Sequence, residues 1–213
     1  MNRTATIDTI LARRSARKFS AEEIPDEDLD LILEAGLRAP SSKNSQPWYL
    51  AVAKGQSKED ICRWVEENPE RLPTKPGKLL IDEPLARTRD STWHSLRYVR
   101  AAPVLILVFN RAPFTGSRAR MEDDIRSGKR VCFENEYIGL GACMENMLLA
   151  ADSLGLGAIP VMDILPAAPL FKERFQIEYD LVIGIVVGYP PKAPPKTLSP
   201  RTLERERFIG YLE

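Results

Sequence analysis

The feature that most limits the possible folds is the run EYIGLGACMENMLLAADSLG, residues 136–155. Its apolar positions form a nearly unbroken belt rather than a single stripe, and Gly139, Gly141 and Ala142 keep part of it small. A helix that is apolar on several sides is buried on several sides. Burial between two subunits is one way to achieve that. The pattern predicts a helix from about Cys132 to Leu154, closed by Gly155 as its C-terminal cap. Four apolar runs read as strands: WYLAVA (48–53), PVLILVF (103–109), GAIPVM (157–162) and LVIGIVVG (181–188). The second has no polar alternation, so both of its faces should be covered.

Further helices are expected on either side of these runs. IDTILARR is capped by Thr6 and ends near Ser15. In PDEDLDLILEAGLRAP, the residues Leu29, Ile32, Leu33, Gly36 and Leu37 recur at helical spacing. Acidic residues crowd its first turn, Arg38 sits in its last and Pro40 stops it. SKEDICRWVEE (57–67) and a short segment near 168–175 complete the set. Residues 68–92 read as irregular, and 111–129 are polar without a clear assignment. The proline-rich tail YPPKAPPKTLSPR should run extended over a surface. The picture is an α+β fold in one domain, 1–213, with no internal repeat.

Charge and composition exclude several functions. Lys+Arg and Asp+Glu are both 30, and a chain of zero net charge is a poor general nucleic-acid binder. No apolar run is long enough to span a bilayer, and MNRTATIDTI lacks an apolar signal core, so a cytoplasmic protein without membrane contact is expected. Cys62, Cys132 and Cys143 are scattered and form no CxxC pair, which indicates neither a disulfide framework nor a zinc knuckle. His94 is the one histidine, so a metal site or a Ser-His-Asp triad would rest on it alone. No metal is expected.

Two stretches carry the chemistry. RRSARKF (13–19) packs four cations and a serine into seven residues. Such a cluster repels itself unless something negative sits on it. It is a solvated basic face, a nuclear-targeting or nucleic-acid patch, for which four cations are few, or a phosphate seat, in which guanidinium forks and a hydroxyl grip the oxygens. APSSKNSQPW (39–48) is dense in neutral hydrogen-bonding groups between rigid residues. It is either a polar turn that satisfies its own backbone or a surface that reads a flat polar heterocycle edge-on.

The two stretches, in this order and at this spacing, resemble the nitroreductase family of flavin-dependent oxidoreductases. AAPVLILVF is similar to the family's central strand, ENMLLAADSLGLGAIPV to its long interface helix and next strand, and VVGYPPKAPPK…PR to its last strand and C-terminal arm. The resemblance implies an α+β homodimer: a mixed, mainly antiparallel sheet flanked by helices, with FMN at two sites on the subunit interface. It implies that Arg13, Arg14 and Ser15 hold the phosphate and ribityl chain. Arg17 would lie at the pyrimidine edge, and Pro40, Ser41, Ser42, Asn44 and Gln46 would approach from the other subunit. Pro160, Met162 and Asp163 would pass near N5, Arg97 would reach the pyrimidine edge and Arg201 the phosphate. No catalytic side chain is required, because the cofactor carries the hydride chemistry.

The implied activity is electron transfer from NAD(P)H to nitroaromatic, quinone or similar small acceptors by a ping-pong mechanism. The alternatives are a narrow reaction on the same fold, such as reductive dehalogenation or dehydrogenation, and a flavin-binding protein without turnover. Three positions depart from the family pattern. Gly139 stands where an acid or amide is common, Met162-Asp163 where many members carry Glu-Gly, and Ser199 where a second cation often precedes the arm arginine. Lys196 is a candidate to replace that cation. His94 reads as a surface histidine, Trp64 and Trp93 as packing or pocket residues, and Cys143 as inert. Residues 111–135 form either a lid over the flavin or an exposed loop and helix.

Overall fold

A computed structural model of the chain describes residues 4–68, 70, 89–129, 133–191 and 210. In order, its main elements are α1 (Ala5–Ala12), α2 (Asp26–Leu37), β1 (Trp48–Lys54), α3 (Gly55–Glu67) and α4 (Arg89–Ala101). They continue with β2 (Val104–Asn110), α5 (Arg118–Arg126), α6 (Glu134–Ser153), β3 (Gly157–Val161), α7 (Ala168–Phe175) and β4 (Asp180–Gly188). The expected helices and strands are present to within a few residues. Helix α1 begins at Ala5, so Thr4 rather than Thr6 stands at its N-terminal boundary. The unassigned polar stretch contains α5, whose start is capped by the Ser117 side chain accepting from the Arg120 N–H. The tail from 192 to 209, with Lys196, Ser199 and Arg201, lies outside the described residues, as does Cys132.

The four strands form one antiparallel sheet in the order β1-β2-β4-β3. The apolar run of β2 is buried at every position, and the two-residue period of a strand divides it between two cores. Leu105, Leu107 and Phe109 join Ile61, Val65, Leu96, Ile164 and Phe171 on the side of α3, α4 and α7. Val104, Ile106 and Val108 join Ile32, Leu140, Cys143, Met147 and Leu148 on the side of α2 and α6. Both faces are covered, as the unbroken run requires.

Helix α6 buries Glu136, Gly139, Leu140, Cys143, Met147, Leu148 and Ala151 against α2 and the sheet. Its other side carries Ile138, which is 72% exposed. Helix α1 buries none of its residues, and Ile7, Ile10 and Leu11 face outward. Among the described residues, no helix is long and apolar enough to cross a membrane.

Candidate functional site

The basic stretch begins where α1 ends. Its residues run extended along the outer edge of β3: Ser15 bridges Ala158, and the Ala16 N–H donates to the Ala158 carbonyl at 3.0 Å. A Cβ at Gly157 would lie 2.5 Å from the Ala16 Cβ, so only glycine allows this close approach. Arg13 is half-buried, and its Nε donates to Glu145 Oε1 on α6 at 3.2 Å. Arg14 turns back on α1, where Nη1 donates to the carbonyls of Leu11, Ala12 and Arg13. A cation is favourable at those orphan carbonyls. Arg17 is exposed.

Helix α6 presents a second carboxylate to the cluster. Burial pushes the Asp152 carboxyl above its ordinary range, and Arg13 and Arg14 pull it back. Glu145 and Asp152 are seven residues apart, two turns of helix, and therefore share a face. The chain's own carboxylates thus offset part of the repulsion within RRSARKF.

The second stretch follows α2. Residues Ser42–Asn44 make one short 3-10 turn, and Lys43, Asn44 and Gln46 all take left-handed φ values of 52°, 53° and 46°. Non-glycine residues held there cost of order 1 kcal/mol each and cluster at ligand clamps. Part of the loop does satisfy itself: the Gln46 N–H donates to Ser41 Oγ at 3.0 Å, and Gln46 Nε2 donates to Asn44 Oδ1 at 3.2 Å. Ser45 Oγ differs, being buried without a hydrogen-bond partner among the described residues. Pro40 is exposed, while Ser41 and Ser42 are half-buried.

The loop lies directly on α6. A Cβ at Gly139 would be 3.2 Å from Pro47 Cγ and 3.3 Å from Ser41 Cβ. The glycine found in place of an acid or amide thus makes room for the loop. One turn earlier, Glu136 is fully buried and accepts from Asn110 Nδ2, from the Phe114 and Thr115 N–H groups and from the Thr115 hydroxyl.

Pro160 is half-buried on β3, and Met162, just beyond it, is 41% exposed. Ser95 Oγ on α4 donates to Asp163 Oδ2 and ties that helix to the end of β3. Arg97 is exposed two residues further on, about 200° around α4 from Ser95. His94 is exposed, and Trp64 and Trp93 pack on the core, in keeping with packing roles. Burial raises the Cys143 thiol to about 12 and the Cys62 thiol to about 11, so neither is a nucleophile near neutral pH. A cleft of 390 Å³ between α1, α2 and α6, bounded by Thr6, Thr9, Arg38 and Asn146, contains none of the residues expected to bind the cofactor.

Within one chain the two stretches stay apart. Glu145 and Gly139, which receive them, are six residues apart, about 9 Å along α6 and roughly 120° around it. Among the described residues, no hydrogen bond or ion pair joins 13–17 to 40–46. Sequence reasoning missed Glu136, Glu145, Ser45 and Ser95, whose importance depends on partners distant in the chain. A carboxylate immediately before the apolar run of the helix was the one available sign of Glu136.

Comparisons with known proteins agree with this arrangement. A model of the nitroreductase family matches residues 10–189. An iodotyrosine deiodinase from Thermotoga neapolitana is 28% identical over 189 residues, which is 86% of this chain and 88% of that protein. A 4-nitrobenzoate reductase from Nocardioides sp. is 26% identical over 218 residues, covering 95% of this chain and 88% of the other. A crystal structure described as a nitroreductase in complex with FMN, from Desulfovibrio desulfuricans, superposes with a TM-score of 0.65 at 25% identity, covering 100% of this chain and 99% of that one. The antiparallel sheet between two helical layers, the paired stretches held by α6 and the match across 10–189 lead to one conclusion: the chain belongs to the nitroreductase family.

Proposed function

We propose that the chain is one FMN-binding domain that acts as a homodimeric NAD(P)H oxidoreductase on nitroaromatic, quinone or similar small acceptors. The observation that carries the reading is the 41–47 loop: three strained non-glycine residues surround a buried hydroxyl, Ser45 Oγ, that lacks a partner among the described residues. Strain and an unmet polar group in one short loop are the marks of a ligand surface. The donor set fits FMN. Arg13 and Ser15 would take the phosphate and the ribityl chain, and Arg201 would join them from the arm. Arg17, with Arg97 as a further candidate, would take the anionic edge of the ring. Pro40, Ser41, Ser42, Asn44 and Gln46 would meet the same ring from the second subunit.

When bound, FMN supplies the two-electron chemistry between the nicotinamide nucleotide and the acceptor. The side chains bind, orient and set charge. The Arg13 Nε–Glu145 hydrogen bond fixes the plane of the guanidinium fork, which would leave the Nη groups to hold the phosphate. A fixed guanidinium at the ring edge favours the reduced, more anionic form and raises the potential. The Ser95–Asp163 hydrogen bond sets the path of the chain beneath Met162, whose exposed side chain would meet an incoming acceptor.

The exposed apolar residues of α1 and Ile138 of α6 support the dimer. An eight-residue helix has little stability of its own, so cover from a second copy would hold α1 in place. The separation of the two stretches within one chain supports a site completed across that interface.

The test is the visible spectrum of the purified protein before and after anaerobic NADPH, followed by NADPH oxidation with an added quinone. A flavin band that bleaches, with turnover on quinone, is expected. A bound flavin that no nicotinamide nucleotide reduces would overturn the oxidoreductase assignment. Absence of a flavin band after reconstitution with FMN would overturn the cofactor assignment.

A further inference from the structure

We propose that Glu136 is a positioning residue. Its buried carboxylate fixes the turn that follows β2, and through Arg111 that turn fixes the end of the loop assigned above to FMN. The effect on the cofactor rests on that assignment, whereas the mechanical link stands on hydrogen bonds alone.

Glu136 has no exposed surface, and among the described residues no cation pairs with it. Neutral donors take its place. Asn110 Nδ2 donates to Oε2 at 2.8 Å, and the Phe114 and Thr115 N–H groups donate to Oε1 at 2.8 and 3.0 Å. The Thr115 hydroxyl lies 3.0 Å from Oε2. The third position of a helix also places the carboxylate in the favourable field of the N-terminus. All of these donors come from 110–115, so the carboxylate binds one turn and little else.

That turn needs holding. Ala112 takes φ +52°, left-handed for a residue with a Cβ, and its N–H is met by Asn110 Oδ1 at 2.8 Å. Asn110 is thus held by Glu136 on one side and holds Ala112 on the other. Between them stands Arg111, whose N–H donates to the Pro47 carbonyl at 2.7 Å and whose Nη1 reaches the Gln46 carbonyl at 3.4 Å. The chain of contacts runs from Glu136 through Asn110 and Arg111 to Gln46 and Pro47. It reaches the loop through the Gln46 and Pro47 carbonyls, whereas the loop's own bond to Ser41 is made by the Gln46 N–H. Releasing the carboxylate frees the turn, and freeing the turn removes the outside support of a strained loop.

The test compares wild type, Glu136→Gln and the double variant Asn110→Asp/Glu136→Gln. In the single variant the new amide nitrogen faces the amide nitrogen of Asn110, and two donors oppose each other. In the double variant the donor and acceptor are exchanged, and the carboxylate now at position 110 can still accept from the Ala112 N–H. Two measurements are made on each purified chain: amide hydrogen exchange after removal of any flavin, and FMN binding by fluorescence quenching.

Exchange at Asn44–Gln46 and at Arg111 should quicken about tenfold in the single variant and return toward wild type in the double. FMN binding should weaken about tenfold and recover in the same way. A purely structural role would loosen 110–116 and leave 44–46 unchanged, and that result would overturn the proposal. So would a double variant that restores neither quantity. Should Glu136→Gln fail to fold, Thr115→Val removes a single donor, and a smaller change of the same pattern is expected. An unchanged 44–46 in that variant also overturns the link. If wild type itself binds no FMN, the cofactor assignment fails, and the exchange pattern alone decides whether Glu136 acts on the loop.

Discussion

Gly184 lies in β4, an inner strand of the sheet. A Cβ built there would stand 2.4 Å from Ile164 Cδ1, 3.0 Å from Leu105 Cδ1 and 3.2 Å from Val161 Cγ2. Ile164 and Leu105 are fully buried, so neither has solvent to retreat into. Carbon atoms settle at about 3.5–4 Å, so the terminal methyl of Ile164 has to withdraw by roughly 1 Å in a close-packed core. Overpacking of this kind costs about 1–3 kcal/mol, and replacing a strand glycine returns about 0.5–1 kcal/mol. Gly184→Ala should therefore lose about 1 kcal/mol net.

The structure also names the compensating change. Ile164→Val deletes the methyl that the new Cβ meets. Alone it should cost about 0.5–1.5 kcal/mol. Together the two should cost about 1 kcal/mol less than their sum, with Leu105 keeping the recovery incomplete. Urea unfolding of the wild type, both single variants and the double variant measures the coupling directly. Ile164 follows Met162 and Asp163, which are proposed to pass the flavin, so on that proposal flavin affinity should fall and recover along with stability. Additivity of the two changes within about 0.5 kcal/mol would refute this account of the packing.

Two further outcomes follow from charged groups. Glu145→Gln keeps an acceptor for Arg13 Nε and removes a negative charge beside the proposed phosphate seat. FMN titration should show about threefold tighter binding at low salt, with the gap closing as salt rises. Arg100 bonds both Glu59 and Glu66, and those hydrogen bonds hold both carboxyls below their ordinary range. Their contribution is full above the ordinary carboxylate pKa and is lost as pH falls through the depressed values. Arg100→Gln should cost about 1 kcal/mol near pH 7 in thermal unfolding, and the cost should shrink as pH falls below the ordinary carboxylate range. A gap that persists in acid would show that the arginine acts through packing.

What could be read in the sequence follows the range of the forces involved. The acidic first turn of α2, the unbroken run of β2 and the belt of α6 are local, and each appears where its pattern places it. Helix α5 escaped because it buries no residue and has no apolar period to betray it. The two stretches RRSAR and SSKNSQ stood out in the sequence as candidate binding segments. Their mounting was not, since Arg13 meets Glu145 across 132 residues and Arg111 meets Gln46 across 65. The departure at Gly139 also changed meaning. In the sequence it is a missing polar group, and in the fold it is the space in which Ser41 and Pro47 rest.

The left-handed residues of the loop set stability against use. Lys43 holds φ 52° with a side chain that ordinarily resists it. Glycine would accept that conformation at little cost, yet would also leave it readily when nothing is bound. A chain selected only for resistance to heat would drift toward relaxed residues at 43–46 and away from a ready-made mould. Keeping lysine, asparagine and glutamine there makes the empty protein less stable than it could be, and on the proposed assignment it would have the loop ready before the flavin arrives.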